Sequence, residues 1–200
     1  MSLEFPNPHT QPGQALADMG GKLIVIVGPS GAGKDTLIDW LRGHVDPASP
    51  IQFVRRTITR PAESGGETHD GVSPAGFERL KADGAFCVTW QAHGLSYGVP
   101  VSALEAVCAG NVAVVNGSRH ALDAIREVFP AVHIVWLTVD STELARRLVL
   151  RGRESEDEIA QRLARGGNGM PQGPDVTVID NSGPVEHAGA ALLRLIEDGW

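Results

Sequence analysis

Residues 22–36 read KLIVIVGPSGAGKDT, and the fold is decided there. Leu23, Ile24, Val25, Ile26 and Val27 run without a polar break. A glycine-rich turn, Gly28 to Gly33, follows, and after Lys34 the apolar residues Leu37, Ile38 and Leu41 fall at helical spacing. A short unbroken apolar run, a glycine turn and a helical period predict a buried strand, a tight loop and a helix in that order. This is the setting of a phosphate-binding loop. Glycines let the backbone turn its N–H groups inward around phosphate oxygens. The helix N-terminus adds partial positive charge at the same point, and Lys34 supplies a full charge to the outer phosphates. The pattern places Gly28, Pro29, Ser30, Gly31, Ala32, Gly33, Lys34, Asp35 and Thr36 around ATP. One letter departs from it. Where the usual Ser or Thr binds Mg²⁺ by its hydroxyl, this chain has Asp35. A carboxylate is a good hard ligand for Mg²⁺, so Asp35 is the expected metal ligand. The alternative, a decayed site, is at odds with the intact lysine and glycines.

Composition narrows the partner. Two hundred residues with 42% hydrophobic and 20% charged content suit one globular domain with a sizeable core. No apolar run approaches the ~20 residues that span a bilayer, and no secretory pattern opens the chain, so the expectation is a cytoplasmic protein without a membrane partner. Cys87 and Cys108 lack metal-ligand spacing and read as free thiols of a reducing compartment. A net charge of −7 argues against a nucleic-acid partner. Yet fourteen arginines stand against three lysines, with arginines at 55, 56 and 60 and six more between 146 and 165. An acidic chain that gathers its arginines in two islands is suited to a small, highly charged anion, because the guanidinium fork meets phosphate oxygens two at a time.

Residues 1–20, rich in Pro and Gly, read as a flexible tail, and residues 21–200 as a single P-loop kinase domain. Apolar runs at 51–54, 85–90, 111–115, 132–139 and 176–179 predict further strands. Helical patterns start at Ser73 with Pro74 in the first position, at a Ser102–Glu105 capping box, near residue 120, at Ser141, at a Ser155–Glu158 capping box and at Val185. The stretch 62–71 reads as a loop. Strands alternating with helices, and runs that are continuous rather than alternating, predict an α/β P-loop NTPase: a parallel sheet covered by helices on both faces. Residues 55–100 break the alternation and read as a small acceptor-binding insertion; 151–166, hinged at the Arg151-Gly-Arg153 break, as an arginine-rich lid.

Ligands of parallel α/β sheets bind beyond the carboxyl ends of the strands. Three loops fall there by this reading: 28–35, 55–60 and 116–119. One offers an ATP cradle, and the other two offer Arg, Asn and Ser hydrogen bonds to a second anion. Together they indicate phosphoryl transfer from MgATP to a small phosphorylated acceptor, chemistry that depends on positioning and charge stabilisation. A phosphate acceptor is already ionised near neutral pH and needs no general base; no His–carboxylate pair stands out, and His69 and His93 read as turn or surface residues.

These segments resemble a known family. GPSGAGK, the TITR segment ending at Arg60, the Tyr97-Gly98 turn and the RRL…RGR…S-x-x-E-I run resemble the guanylate kinase-like branch of P-loop kinases over roughly residues 22–185. Closer still is the resemblance to its ribose 1,5-bisphosphate phosphokinases of phosphonate catabolism. It rests on Lys34-Asp35, Ile-Thr-Arg60, Trp90 with His93-Gly94-Leu95, Tyr97-Gly98-Val99, the run Val115-Asn116-Gly117-Ser118-Arg119 and Arg151-Gly-Arg153-Glu154. Asp after the loop lysine is usual in that subgroup. The resemblance implies conversion of ATP and ribose 1,5-bisphosphate to ADP and 5-phosphoribosyl 1-diphosphate, with a small phosphorylated sugar as the acceptor. It implies acceptor contacts from Arg60, Tyr97, Asn116, Ser118 and Arg119, and catalytic charge stabilisation by Lys34, Arg151 and Arg153. Guanylate kinases proper carry a second arginine where Glu63 and Ser64 stand, a guanine-reading carboxylate where Cys87–Trp90 stand, and an aspartate where Asn116 stands. The alternatives are a guanylate or other nucleoside monophosphate kinase, and a non-catalytic guanylate kinase-like interaction module, which an intact P-loop disfavours. The glycine-rich run after Arg165 departs from the subgroup and bears on the end of the lid helix.

Overall fold

The structure, a computed structural model, describes residues 20–61, 68–151 and 169–198. The predicted tail up to residue 19, the Ser155–Glu158 capping box and all of the predicted lid beyond Arg151 lie outside these residues.

Strand β1 (Lys22–Val27) is the centre of a five-stranded sheet. It pairs in parallel with β7 (Val112–Asn116) on one side and β8 (Val132–Thr138) on the other. Strand β2 (Ile51–Phe53) extends the sheet beyond β7, and β9 (Val176–Asp180) extends it beyond β8, both in parallel. The unbroken apolar run of β1 follows from this position. Successive side chains of a strand point to opposite faces, and here both faces are covered. Leu23, Val25 and Val27 enter one core with Val115, Ile134 and Trp136. Ile24 and Ile26 enter the other with Val114, Val135 and Leu137. Leu23 to Val27 are all 0% exposed.

Helix α1 (Lys34–His44) closes the second core with Leu37, Ile38 and Leu41, beside the last helix of the chain, α6 (Val185–Glu197), which brings Ala188, Leu192 and Ile196. A Cβ at Gly189 of α6 would overlap the Trp40 ring of α1, so glycine there lets the two helices approach. Helices α3 (Val101–Cys108) and α4 (Leu122–Val128) contribute Ala103, Val107, Leu122 and Ile125 to the first core. Helix α5 (Ser141–Arg151) packs Leu144 and Leu148 inward.

Residues 57–100 form a second sheet from β3 (Thr57–Ile58), β4 (Asp70–Gly71), β5 (Phe86–Ala92) and β6 (Leu95–Pro100), in the order β4-β3-β6-β5. β5 and β6 are a hairpin whose turn residues, His93 and Gly94, have φ of 52° and 73°. Positive φ at both positions is the two-residue turn whose twist matches that of the strands. Val88, Trp90 and Val99 of this hairpin belong to the same core as Leu23, Val25 and Val27. Helix α2 (Pro74–Ala82) starts as expected, Ser73 Oγ accepting from the Gly76 N–H at 3.1 Å.

Two local readings are corrected. Asp70–Gly71 is not loop but a short strand paired with Thr57–Ile58. The Ser102–Glu105 capping box is not formed: α3 begins at Val101 from Pro100, without a side-chain cap. Strand β6 runs straight into the helix, and the Val101 N–H donates to the Ala85 carbonyl at 3.0 Å. Tertiary attachment therefore sets the helix start, and Ser102 and Glu105 both lie inside it.

At the amino-terminal side of the sheet Asp175 accepts from Arg126 Nε at 2.8 Å and from Nη2 at 3.1 Å. These hydrogen bonds, foremost, hold the Asp175 carboxyl below its ordinary range. A carboxyl depressed in the folded state adds stability above its unfolded value of about 3.9, lost as pH falls through the folded value. Asp175→Asn is therefore expected to lower the urea midpoint at pH 7, with the gap to wild type narrowing as pH drops below about 4.

Candidate active site

The loop after β1 is shaped by close approaches. A Cβ on Gly28 would lie 2.8 Å from the Leu137 carbonyl oxygen. Gly33, at the N-cap of α1, has φ 86° and ψ 24°, and a Cβ there would lie 2.6 Å from Asn181 Nδ2. Left-handed backbone without room for a side chain requires glycine. Lys34 lies back along the loop, its Nζ donating to the carbonyls of Gly28 at 3.0 Å and Pro29 at 3.2 Å. Ala32 is fully buried, while Ser30 and Thr36 are exposed on the cradle.

Asn181, just beyond β9, supports this loop from beneath and was not singled out by the sequence. It is 3% exposed. Its Nδ2 donates to the Ala32 carbonyl at 2.7 Å and its own N–H to the Thr138 carbonyl at 2.9 Å. Arg147 of α5 donates from Nη2 to the Asn181 carbonyl at 2.8 Å, and its Nη1 stands 3.4 Å from the position of a Cβ on Gly33. Arg147 thus brings a guanidinium to the edge of the phosphate loop. Glu143 fixes it, accepting from Arg147 Nε at 2.7 Å and from Arg146 Nε at 2.7 Å. Hydrogen bonds from Arg146 and then Arg147 push the Glu143 carboxyl down to about 2. The arginine island was legible, but within it the sequence pointed to Arg151 and Arg153. Arg151 is the last residue of α5, and Arg153 lies outside the described residues.

Asp35 sits in the first turn of α1, where the helix N-terminus favours an acid. Its Oδ1 accepts from Asn116 Nδ2, at the end of β7, at 2.6 Å. Asp35 and Asn116 line one cavity with Arg56 and Thr68. Among the described residues no group of three or more His, Cys, Asp or Glu side chains gathers to hold a metal. Asp39 also lines this cavity but is paired with Arg42, so a cation here would draw on the Asp35 carboxylate, with phosphate and water oxygens completing its shell. That donor set suits Mg²⁺, which keeps waters and binds through one or two carboxylates plus substrate phosphates.

The opposite wall holds the first arginine island. Sequence alone did not decide between Arg55 and Arg56. Arg55 is exposed and meets Asp70 at 3.4 Å. Arg56 is 7% exposed and faces inward, its guanidinium 5.4 Å from the centroid of the Trp90 ring and 5.3 Å from that of Tyr97. Those rings are stacked 5.2 Å apart and 6° from parallel. They are a polarisable platform that attracts the cation by its π faces. Arg60 is half-buried against His69, which is itself 5% exposed and so not a surface residue. His69 Nε2 lies 3.2 Å from the Arg60 carbonyl, and its Nδ1 lies 3.4 Å from Arg60 Nη2. A tautomer protonated at Nε2 satisfies both contacts, donating to the carbonyl and accepting from the guanidinium. His93 lies exposed in the hairpin turn.

Of the other predicted acceptor residues, Tyr97 joins Arg56, and Asn116 joins Asp35. Ser118 caps the 3-10 turn Arg119–Ala121 through the His120 N–H at 3.4 Å. Arg119 is exposed and runs toward Gly169, where a Cβ would lie 3.4 Å from its Nη1. A phosphate cradle, a carboxylate beside it and a cavity walled by a buried guanidinium form a site in which a phosphoryl group can pass between two anionic ligands.

Comparison with known proteins gives the family. The guanylate kinase family model matches residues 20–198. A ribose 1,5-bisphosphate phosphokinase PhnN from Agrobacterium fabrum is 45% identical over 175 residues, covering 88% of this chain and 96% of that protein. One of the same name from Pseudomonas fluorescens is 43% identical over 186 residues, covering 90% and 97%. In three dimensions the chain is similar to guanylate kinase from Anaplasma phagocytophilum, with a TM-score of 0.65 and 18% identity over 90% of this chain and 86% of that one. Among the described residues no helix is long and apolar enough to cross a membrane.

Proposed function

The chain belongs to the guanylate kinase family, and from that premise we propose that it phosphorylates ribose 1,5-bisphosphate with ATP, releasing ADP and 5-phosphoribosyl 1-diphosphate in phosphonate catabolism. The observation that carries the reading is the near full-length likeness to phosphokinases of that name. The buried Arg56 on its Trp90–Tyr97 platform supports it, because a cationic wall fits a phosphate better than a guanine.

An oxygen of the acceptor's 1-phosphate attacks the γ-phosphorus of ATP. One P–O bond forms as the bond to the β–γ bridging oxygen breaks, and ADP departs. The attacking phosphate has a second pKa of about 6, so no side chain has to remove a proton. The residues of the chain bind, align and neutralise. The N–H groups of 28–36 and Lys34 hold the ATP phosphates. Asp35 would hold Mg²⁺, which supplies charge neutralisation on the phosphates when bound. Arg56, Arg60, Tyr97, Ser118 and Arg119 bind the acceptor, and Arg151 and Arg153 of the lid stabilise the transferring phosphoryl group with Lys34. The reading includes a single kinase domain over 21–200 after a flexible tail, with an acceptor-binding insertion at 55–100 and a lid at 151–166, acting in the cytoplasm.

The test is ADP release from ATP with each of two acceptors. Turnover with ribose 1,5-bisphosphate, yielding 5-phosphoribosyl 1-diphosphate, and at most slow turnover with GMP is expected. Turnover with GMP alone would make the chain a nucleoside monophosphate kinase. Failure of the wild type to bind any nucleotide would make it an interaction module.

A further inference from the structure

Two departures from the usual phosphate-loop pattern, 81 residues apart, meet in space. P-loop enzymes hold Mg²⁺ with a Ser or Thr hydroxyl after the loop lysine and with an Asp carried on a strand. Here the carboxylate follows the lysine, as Asp35, and the strand ends in an amide, Asn116. β7 lies directly beside β1, with Asn116 in register with Ile26, so its last side chain is level with the start of the loop. Asn116 Nδ2 donates to Asp35 Oδ1 at 2.6 Å, and Asn116 is 9% exposed.

We propose that Asn116 is a positioning residue of the metal site and not an acceptor contact: the pair has exchanged its carboxylate and its neutral partner, and the amide holds one Asp35 oxygen so that the other is left for the cation. Chemistry links the two changes. A carboxylate accepts only, whereas an amide nitrogen donates only. An aspartate at 116 would set two like charges at hydrogen-bond distance, which disfavours ionising both. Once the loop carries Asp35, the strand end needs a donor, and asparagine supplies one at nearly the same volume. An acid that merely complemented the α1 N-terminus would need only solvent opposite it, whereas Asp35 is tied across the cavity to a buried side chain of another strand. Partners that orient metal ligands typically change metal affinity ~10–100-fold when removed.

The inference rests on the ATP half of the function proposed above and is independent of the acceptor. It is tested with Asp35→Thr, Asn116→Asp and the double variant, each loaded with ATP and titrated with Mn²⁺, the free ion being read by electron paramagnetic resonance. Each single change is expected to weaken Mn²⁺ binding by at least ~10-fold, and the double variant to return to within about threefold of wild type, as coupling between touching residues allows. If a single variant unfolds, recovery of the wild-type urea midpoint in the double variant reads the same coupling. A double variant no better than the weaker single overturns the proposal. So does Asn116→Ala that raises the acceptor KM while Mn²⁺ affinity stays at the wild-type value. The Mn²⁺ titrations and the urea midpoints do not depend on which acceptor is turned over, so loss of the ribose 1,5-bisphosphate reading would leave this one to stand or fall by them.

Discussion

Lys34→Ala is expected to lower kcat by about 10²–10³-fold, the cost of removing one preorganised group from a developing charge, while the urea midpoint stays close to wild type. The geometry explains why the loss falls on rate. Nζ donates to the Gly28 and Pro29 carbonyls, which stations the ammonium along the loop proposed to receive the phosphates. A group that need not reorganise during the reaction acts mainly on the transition state, where the transferred phosphoryl group spreads charge over its oxygens. Stability should change little, because Lys34 is only half-buried and its loop is also supported by Asn181 through the Ala32 carbonyl. Single-turnover phosphoryl transfer, with ATP affinity measured separately, checks this; activity within threefold of wild type would remove Lys34 from catalysis.

The second large effect is expected at Arg56. Arg56→Met keeps length and apolar bulk against Trp90 and Tyr97 while removing the fork. It should reduce kcat/KM for ribose 1,5-bisphosphate by ~10²-fold, in line with the 1.5–3 kcal/mol of a hydrogen bond to a charged group, and leave the KM for ATP within about twofold. Arg56→Lys should recover little of this, because an ammonium neither stacks on the ring pair nor meets a phosphate with two parallel N–H groups. Initial rates with each substrate varied in turn decide the matter. An equal rise in both KM values, with a lowered urea midpoint, would make Arg56 a packing residue.

What sequence made legible follows how local each cause is. β1 and α1 could be read because an unbroken apolar run and a 3.6-residue period are written over consecutive positions. The Ser73 cap was legible for the same reason, whereas the Ser102 signal was overruled once β6 ran directly into α3. In the site, the loop glycines and Lys34 were readable because the backbone itself demands them. Arg55 and Arg56 were not separable, since they lie in the irregular link between β2 and β3, and which of them turns inward is set by where the two sheets hold those strands. Asn181 gave no local signal: its partner, Ala32, is 149 residues away. Asp35 and Asn116 were each visible as departures, but only the fold shows that they touch.

The hairpin that carries Trp90 and Tyr97 shares its main core with the central sheet. Val88, Trp90 and Val99 are buried in one cluster with Leu23, Val25 and Val27 of the central strand. In terms of modularity, this segment, proposed to bind the acceptor, cannot be cut out, or traded for that of another kinase, as a cassette. Doing so would open the core that also holds one face of the strand from which the phosphate loop springs. On the proposed function, a change of acceptor is expected to come from exchanging single side chains in this wall, and each exchange would be felt by the core it shares with the sheet.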